Sequence, residues 1–192
     1  MCTEVHYQAG VEPSSIRWRR SLAVRRVDSC AMAESLAAVL RSLLLDRPTA
    51  ALATLHAGRP AASLIPFAVH IGPAGLRLVT HVSGLAAHTR EMRSCPEVCL
   101  LISAADDTAE MPQALARVSI PARAEFIAAD HPDQAELAAA YLGKFPEAAP
   151  LFQLGDFSIV ALVPESGRLV AGFGRAVTLD PDALSAAVGS GA

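Results

Sequence analysis

The chain has 192 residues, of which 52% are apolar and 18% are charged, and its formal net charge is −3. Soluble domains carry about 25% charged residues, so this composition predicts a single domain with a large buried core. The small negative charge argues against a nucleic-acid-binding surface, and no apolar run approaches the roughly 18 residues of a membrane span.

Cysteine and histidine spacing indicates no metal site. None of the four cysteines belongs to a Cys-x-x-Cys pair, and the histidines lack the spacing of metal ligands. No signal peptide is evident in the sequence. We therefore expect a protein of the reducing cytoplasm, with no metal, nucleic-acid or membrane partner.

The first 31 residues differ from the rest of the chain. They contain five arginines and no clear apolar period, whereas a strong helical pattern starts at Met32. A basic arm for nucleic acid or membrane is one interpretation, and an unstructured leader upstream of a start at Met32 is the other. We favour the leader, and so divide the chain into a disordered basic leader over residues 1–31 and a domain over residues 32–192.

The domain is predicted to begin with a helix and three strands. Leucines at helical spacing predict a helix over Met32–Asp46, which Pro48 ends. Strands are predicted over Thr49–His56, Pro60–His70 and Leu76–Thr80. The second strand is apolar at both parities, which predicts cover on both faces, by the core and by a helix or a partner subunit.

The remaining elements alternate between strands and short helices. Pro121 must lie at an edge or a bulge because it cannot donate to a ladder, and Asp130 is the expected N-cap of a helix. We predict a helix over Gly84–Ser94, a strand over Val98–Ser103, a loop over 104–114, a strand over Ala116–Ala128, a helix over Asp130–Leu142, a hairpin of Asp156–Pro164 with Arg168–Thr178, and a short helix after Pro181. Mostly hairpin-connected strands predict a mainly β, α+β fold, an antiparallel barrel with peripheral short helices.

The start of the helix at Gly84–Ser94 is the most informative segment. A helix start presents unpaired N–H groups and a positive dipole end, which suit a phosphate. On a helical wheel His88 faces the barrel together with Leu85, whereas Arg90 points outward. His88 either donates to a bound anion or bonds a backbone carbonyl, and its position is compatible with both.

Four further polar residues have two interpretations each. Ser83 is an N-cap or a phosphate ligand, and Thr80 is a strand former or a free hydroxyl at a strand end. Ser63 makes a cross-strand hydrogen bond or contacts a flat ring, and Arg117 is solvated or contacts a ligand. No nucleophile elbow, Ser/His/Asp arrangement or phosphate loop is present, so we name no catalytic side chain.

Six segments in order resemble one known family. From roughly Met32 to Leu184, the chain is similar to the FMN-binding split-barrel proteins of the pyridoxamine 5′-phosphate oxidase superfamily, specifically the haem-utilisation, HugZ-like branch. The segments are Ser63–Phe67, Ser83–Arg90, Pro96–Ile102, Arg117–Ala124, Gly155–Phe157 and Gly172–Ala176.

This resemblance implies an antiparallel split β-barrel and a homodimer that binds a small-molecule ligand at the subunit interface. It also implies FMN as cofactor and a flavin-dependent oxidoreductase activity, with FMN phosphate near the end of the third strand and the next helix. The expected cofactor-binding residues are Ser63, Leu64, Ile65, Thr80, Ser83, His88, Thr89 and Arg117.

Two alternatives to the flavin enzyme remain open. One is haem binding or haem utilisation in the same cleft, for which the branch implies an axial histidine on a C-terminal extension; no histidine follows His131 in this sequence. The other is a non-catalytic dimer that has lost its cofactor. Glu91 stands where relatives usually have asparagine, and Ala62–Phe67 holds no basic residue, so pyridoxamine phosphate is not the expected substrate.

Overall fold

The strands of this protein form one antiparallel sheet. The computed structural model describes residues 29–106, 111–172 and 174–189, and within them nine strands and four α-helices are present. The strands are β1 (Thr49–His56), β2 (Arg59–Pro66), β3 (Ala68–Gly72), β4 (Gly75–Ser83), β5 (Glu97–Ser103), β6 (Arg117–Ile127), β7 (Phe157–Pro164), β8 (Gly167–Val170) and β9 (Ala176–Leu179). The helices are α1 (Ser29–Asp46), α2 (Ala87–Ser94), α3 (Gln134–Lys144) and α4 (Pro181–Gly189), with 3₁₀ segments over Pro112–Ala114 and Pro146–Gln153.

Two sequence predictions fall wholly or partly outside the described residues. The leader over residues 1–31 is described only from residue 29, where α1 already begins, and it stays a prediction. The loop predicted over 104–114 is described except for 107–110, and it ends in a 3₁₀ turn.

The predicted antiparallel α+β fold is confirmed, but the sheet is not closed into a barrel. Its strand order is β2-β1-β5-β6-β7-β4-β3, with β8 pairing β6 and β9. The predicted strand Pro60–His70 is wrong as a single element, because the chain bends at Phe67 and divides it into β2 and β3. The amide of Phe67 donates to the Pro48 carbonyl at 3.2 Å instead of to a strand partner. One continuous segment thus supplies both ends of the sheet.

A buried threonine spans the opening between these ends. Thr80 of β4 is fully buried, and its hydroxyl donates to the carbonyl of Pro66, the last residue of β2, at 2.8 Å. No ladder joins β2 to β4 among the described strands, so this side-chain bond is a direct polar link across the opening.

The inner face of the curved sheet forms the main core. The alternation predicted for β6 is confirmed, since Val118, Ile120 and Ala122 are buried there with Leu52 of β1 and Leu100 of β5. The leucine stripe of α1 is also confirmed, because its leucines cover the same core: Leu40, Leu43 and Leu44.

A second layer covers the outer face of β4 and β7. Leu137 and Tyr141 of α3 pack there against Val79 and Ile159. The predicted N-cap Asp130 is wrong, because α3 begins at Gln134. The residue before it, Asp133, makes no side-chain cap bond and accepts a hydrogen bond from the Arg77 guanidinium at 2.6 Å.

The predicted terminal hairpin has a different pairing. Strands β7 and β8 do not pair with each other; both pair with β6, along 122–127 and 117–119 respectively. Pro121 lies between these two stretches, and its carbonyl accepts a bond from the Glu165 amide at 2.9 Å. The missing N–H of Pro121 therefore falls where β6 changes neighbour, in agreement with the requirement for an edge or bulge.

The first and last described helices pack together. The Arg41 guanidinium of α1 donates to the carbonyl of Val188 near the end of α4. Leu184 and Ala187 of α4 join the same core as the α1 leucines.

Replacing Thr80 by valine should destabilise the protein by about 1–3 kcal/mol, because it leaves the Pro66 carbonyl without its donor. The free energy of unfolding is measured by urea titration with far-ultraviolet circular dichroism. Thr178→Val, the same substitution at an exposed position of β9, is the matched control. Equal losses in the two variants would contradict a special role for the Thr80 hydroxyl.

Candidate functional site

The predicted helix start near Ser83 is shifted along the chain. Helix α2 begins at Ala87, and Ala86 is its N-cap residue, without a side-chain cap bond. Ser83 is therefore not the N-cap; it is the last residue of β4, and its carbonyl accepts from the Ala86 amide at 3.1 Å across the turn that follows. Leu85, which was expected to face the barrel, is 80% exposed because it belongs to this turn and not to the helix.

Three of the hydroxyls predicted to bind phosphate donate to protein acceptors. Ser83 donates to the Asp156 carboxylate at 2.7 Å, and Thr89 donates to the Ser83 carbonyl at 2.7 Å. Thr80 is bound to Pro66, as described above. A hydroxyl has one proton to donate, so none of these side chains has a proton left for a phosphate. Asp156 also places a negative charge beside the expected phosphate position.

The other predicted cofactor residues do not share one surface. Ser63 is half-buried in β2, Ile65 is buried in the core, and Leu64 between them is 71% exposed on the outer face. Arg117 donates to the Leu115 carbonyl at 2.9 Å and pairs with Ser103, at the opposite end of β5 and β6 from α2. The structure therefore separates Arg117 from the residues around α2.

His88 lies half-buried on α2 and forms no hydrogen bond with the described residues. Burial lowers the pKa of His88 below its ordinary value of 6.5, and the nearby charge of Glu91 opposes this shift only partly. The imidazole is therefore neutral at pH 7 and can donate through one nitrogen and accept through the other. Arg90 on the same helix is exposed, as predicted, and donates to the Leu85 carbonyl at 2.9 Å.

Glu91 is a buried carboxylate that connects α2 to β1. Its carboxylate accepts from the Thr54 hydroxyl at 2.6 Å and lies 3.2 Å from Nδ1 of His56. Burying a carboxylate is costly unless hydrogen bonds and charges compensate it, and these two contacts do so. The charge faces β1, so it is not directed at the expected phosphate position.

The sequence analysis missed His56 as a functional candidate. Its Nδ1 faces Glu91, whereas its Nε2 has no hydrogen-bond partner in the described chain and the side chain is 74% exposed. A carboxylate on Nδ1 fixes the tautomer and leaves the Nε2 lone pair free to bind a metal. The only signal in the sequence is that Thr54 and His56 share one parity of β1. We call His56 and Glu91 the His56–Glu91 pair.

The His56–Glu91 pair borders a small cavity. The cavity has a volume of about 230 Å³ and is also lined by Leu55 and Arg90.

Leu64, Ala51 and Leu101 lie in register on the outer face of β2, β1 and β5, and Leu101 is 42% exposed. Exposed apolar faces of this kind commonly mark interaction surfaces.

The described residues contain no group of three or more side chains able to hold a metal ion. None of the helices in the described parts of the chain is long and apolar enough to cross a membrane.

Acidification below pH 6.5 should destabilise the protein through His88 and the buried His81, because burial lowers the pKa of both below that value. The native state then binds fewer protons than the unfolded state, so stability is lost as the pH falls. His88→Gln and His81→Phe should each reduce this loss, and the double variant should reduce it most. The loss of stability is measured by thermal unfolding between pH 5 and pH 8, with Thr178→Val as the control. If the histidine variants lose as much stability between these pH values as the wild type, the loss does not come from His88 and His81.

Comparisons with known proteins agree with this architecture. A family model described as pyridoxamine 5′-phosphate oxidase matches residues 36–171. The chain is 32% identical over 141 residues to heme oxygenase HutZ of Vibrio cholerae, a match covering 72% of this chain and 78% of that protein. It is 30% identical over 121 residues to the chloroplastic noncanonical heme oxygenase HOZ of Arabidopsis thaliana, covering 63% of this chain and 35% of that protein.

A solved structure gives the same result. The heme-binding protein of Mycobacterium smegmatis superposes with a TM-score of 0.69 and 29% identity, and the match covers 79% of this chain and 60% of that one. The chain thus spans less than two thirds of the Arabidopsis and Mycobacterium proteins. Because the family model covers most of the chain and the described sheet agrees with it, the chain belongs to the pyridoxamine 5′-phosphate oxidase-like split-barrel superfamily, in its haem-utilisation branch.

Proposed function

We propose that this protein binds haem and acts in haem utilisation. The observation that carries the proposal is the His56–Glu91 pair, an imidazole whose Nδ1 is held by a buried carboxylate and whose Nε2 is free. The similarity to HutZ and HOZ, both described as heme oxygenases, supports the same direction. The alternative in the sequence analysis is thus better supported than the flavin-dependent oxidoreductase.

The residues around α2 fit FMN poorly. FMN carries a phosphate, and the hydroxyls of Thr80, Ser83 and Thr89 already donate to protein acceptors. Asp156, bonded to Ser83, would repel the phosphate at the same place. Of the predicted phosphate donors, only His88 has a side chain that makes no hydrogen bond with the described residues. One remaining donor is too few to hold a phosphate.

The residues near the His56–Glu91 pair fit haem in their chemistry. The Nε2 atom of His56 would hold the iron, Leu55 would offer an apolar contact to the macrocycle, and the guanidinium of Arg90 would pair with a propionate. Bound haem supplies an iron centre whose reactivity depends on its axial ligand and on the groups around it. Glu91 keeps the imidazole oriented, and a carboxylate on Nδ1 strengthens Nε2 as a donor to the metal.

We further propose that two copies of the chain pair through the outer face of β2, β1 and β5, with the ligand at their interface. The exposure of Leu64 and Leu101 in one apolar row supports this assembly, because covering them removes apolar area from water. It also agrees with the second strand being apolar at both parities.

Haem binding is tested by titrating the purified protein with haemin and recording its absorption spectrum. We expect a Soret band at about 400 nm. His56→Ala should alter this band and weaken haem binding by about 10–100-fold or more, because loss of a group that only supports a metal ligand already lowers metal affinity by that factor. His131→Ala, an exposed histidine beside α3, is the control. A flavin spectrum with a band at about 450 nm, together with no spectral change on addition of haemin, would contradict the proposal.

The dimer is tested with Leu64→Glu, which places a charge in the apolar row. Wild-type protein should have the mass of two chains by light scattering after size exclusion, and the variant should have the mass of one. Leu151→Glu changes an exposed leucine of the 3₁₀ segment and should remain dimeric. A wild-type monomer, or a dimeric Leu64→Glu variant, would refute this interface.

A further inference from the structure

A second and larger cavity lies apart from the His56–Glu91 pair. It has a volume of about 510 Å³, within the range of small-molecule sites, and shares no lining residue with the cavity beside His56. Its apolar lining includes three phenylalanine rings, and its charged and polar side chains include His81, Arg93 and Gln134. The three rings are those of Phe126, Phe152 and Phe157. We call this cavity the His81 pocket.

His81 lines this pocket with an imidazole that stacks on one of its phenylalanine rings. The residue is 8% exposed, and its ring stacks on Phe152 with centroids 3.9 Å apart and planes at 14°. Phe157 lies 5.0 Å away, centroid to centroid. The Nδ1 atom of His81 is buried and has no hydrogen-bond partner among the described residues.

Arg93 contributes a cation that no described carboxylate neutralises. Its guanidinium lies 3.9 Å from the centroid of the Phe126 ring, and none of the described ion pairs includes it. A guanidinium over an aromatic ring keeps its N–H groups available at its edge, where a carboxylate can bind in a bidentate manner. The pocket therefore combines aromatic walls with a cation that belongs to none of the described ion pairs.

We propose that the His81 pocket binds a planar aromatic carboxylate. The ring of the ligand packs among the phenylalanine side chains, and its carboxylate pairs with Arg93. The imidazole of His81 forms part of the wall beside the ligand ring. Burial keeps His81 neutral at pH 7 by lowering its pKa, so this imidazole can either donate to the ligand or accept from it.

The probe is 2-naphthoate, titrated into the purified full chain by isothermal calorimetry. Arg93→Gln should weaken its binding about tenfold or more, as expected for the loss of a charge-assisted hydrogen bond. Arg168→Gln, which removes an exposed arginine of β8 that lines neither cavity, is the matched control and should bind like the wild type. The neutral 2-naphthamide should bind wild type and Arg93→Gln equally, because it carries no charge for Arg93 to pair with.

A second measurement follows the ring of His81 directly. Saturating 2-naphthoate should shift the imidazole signals of His81 in the nuclear magnetic resonance spectrum, and His81→Phe, which keeps the aromatic stack, should weaken binding. Absence of wild-type binding, an equal effect of Arg93→Gln and Arg168→Gln, or unmoved His81 signals would each overturn the proposal. His56→Ala should keep full affinity for 2-naphthoate, so this result is independent of haem binding.

Discussion

The bend at Phe67 is the constraint on which the rest of the structure depends. Because its amide bonds to Pro48 and its side chain is buried, one segment leaves β2 at one end of the sheet and enters β3 at the other. The sheet must curl to allow this, and Thr80 holds the two ends near each other. The curled sheet has an inner face filled with core residues and an outer face whose two parts differ in how they are covered. Helix α3 covers the part on β4 and β7, whereas on the part formed by β2, β1 and β5 the described residues leave Leu64 and Leu101 exposed.

Glu91 shows how a local departure from a family pattern can be satisfied by tertiary structure. Its charge would be unfavourable beside a phosphate, but the carboxylate is directed to Thr54 and His56 on β1. An apolar residue there would pack α2 on the strand equally well, yet it would leave the imidazole free to rotate. The acid therefore adds orientation, which matters for a side chain that would bind a metal.

The sequence was sufficient for features that depend on local periodicity. The leucine stripe of α1 and the alternation in β6 were predictable because each pattern reports which face of an element is buried. The break at Phe67 was not predictable, since the apolar run continues through it. Neighbour relations of β7 and β8 were also missed, because a turn signal cannot distinguish pairing with each other from pairing with a third strand. In the site, the polar residues near α2 were recognised, but their acceptors, such as Asp156 for Ser83, lie far away in sequence.

The packing of α1 on α4 has a consequence for how the chain folds during synthesis. Arg41 and Val188 are 147 positions apart, and α4 follows every strand of the sheet. The leucines of α1 therefore leave the ribosome long before the helix that completes their cover. Contacts of such long sequence separation are associated with slow folding, since the chain must close a large loop to form them. The apolar stripe of α1 thus stays exposed for most of translation, and a chaperone could bind it during that time.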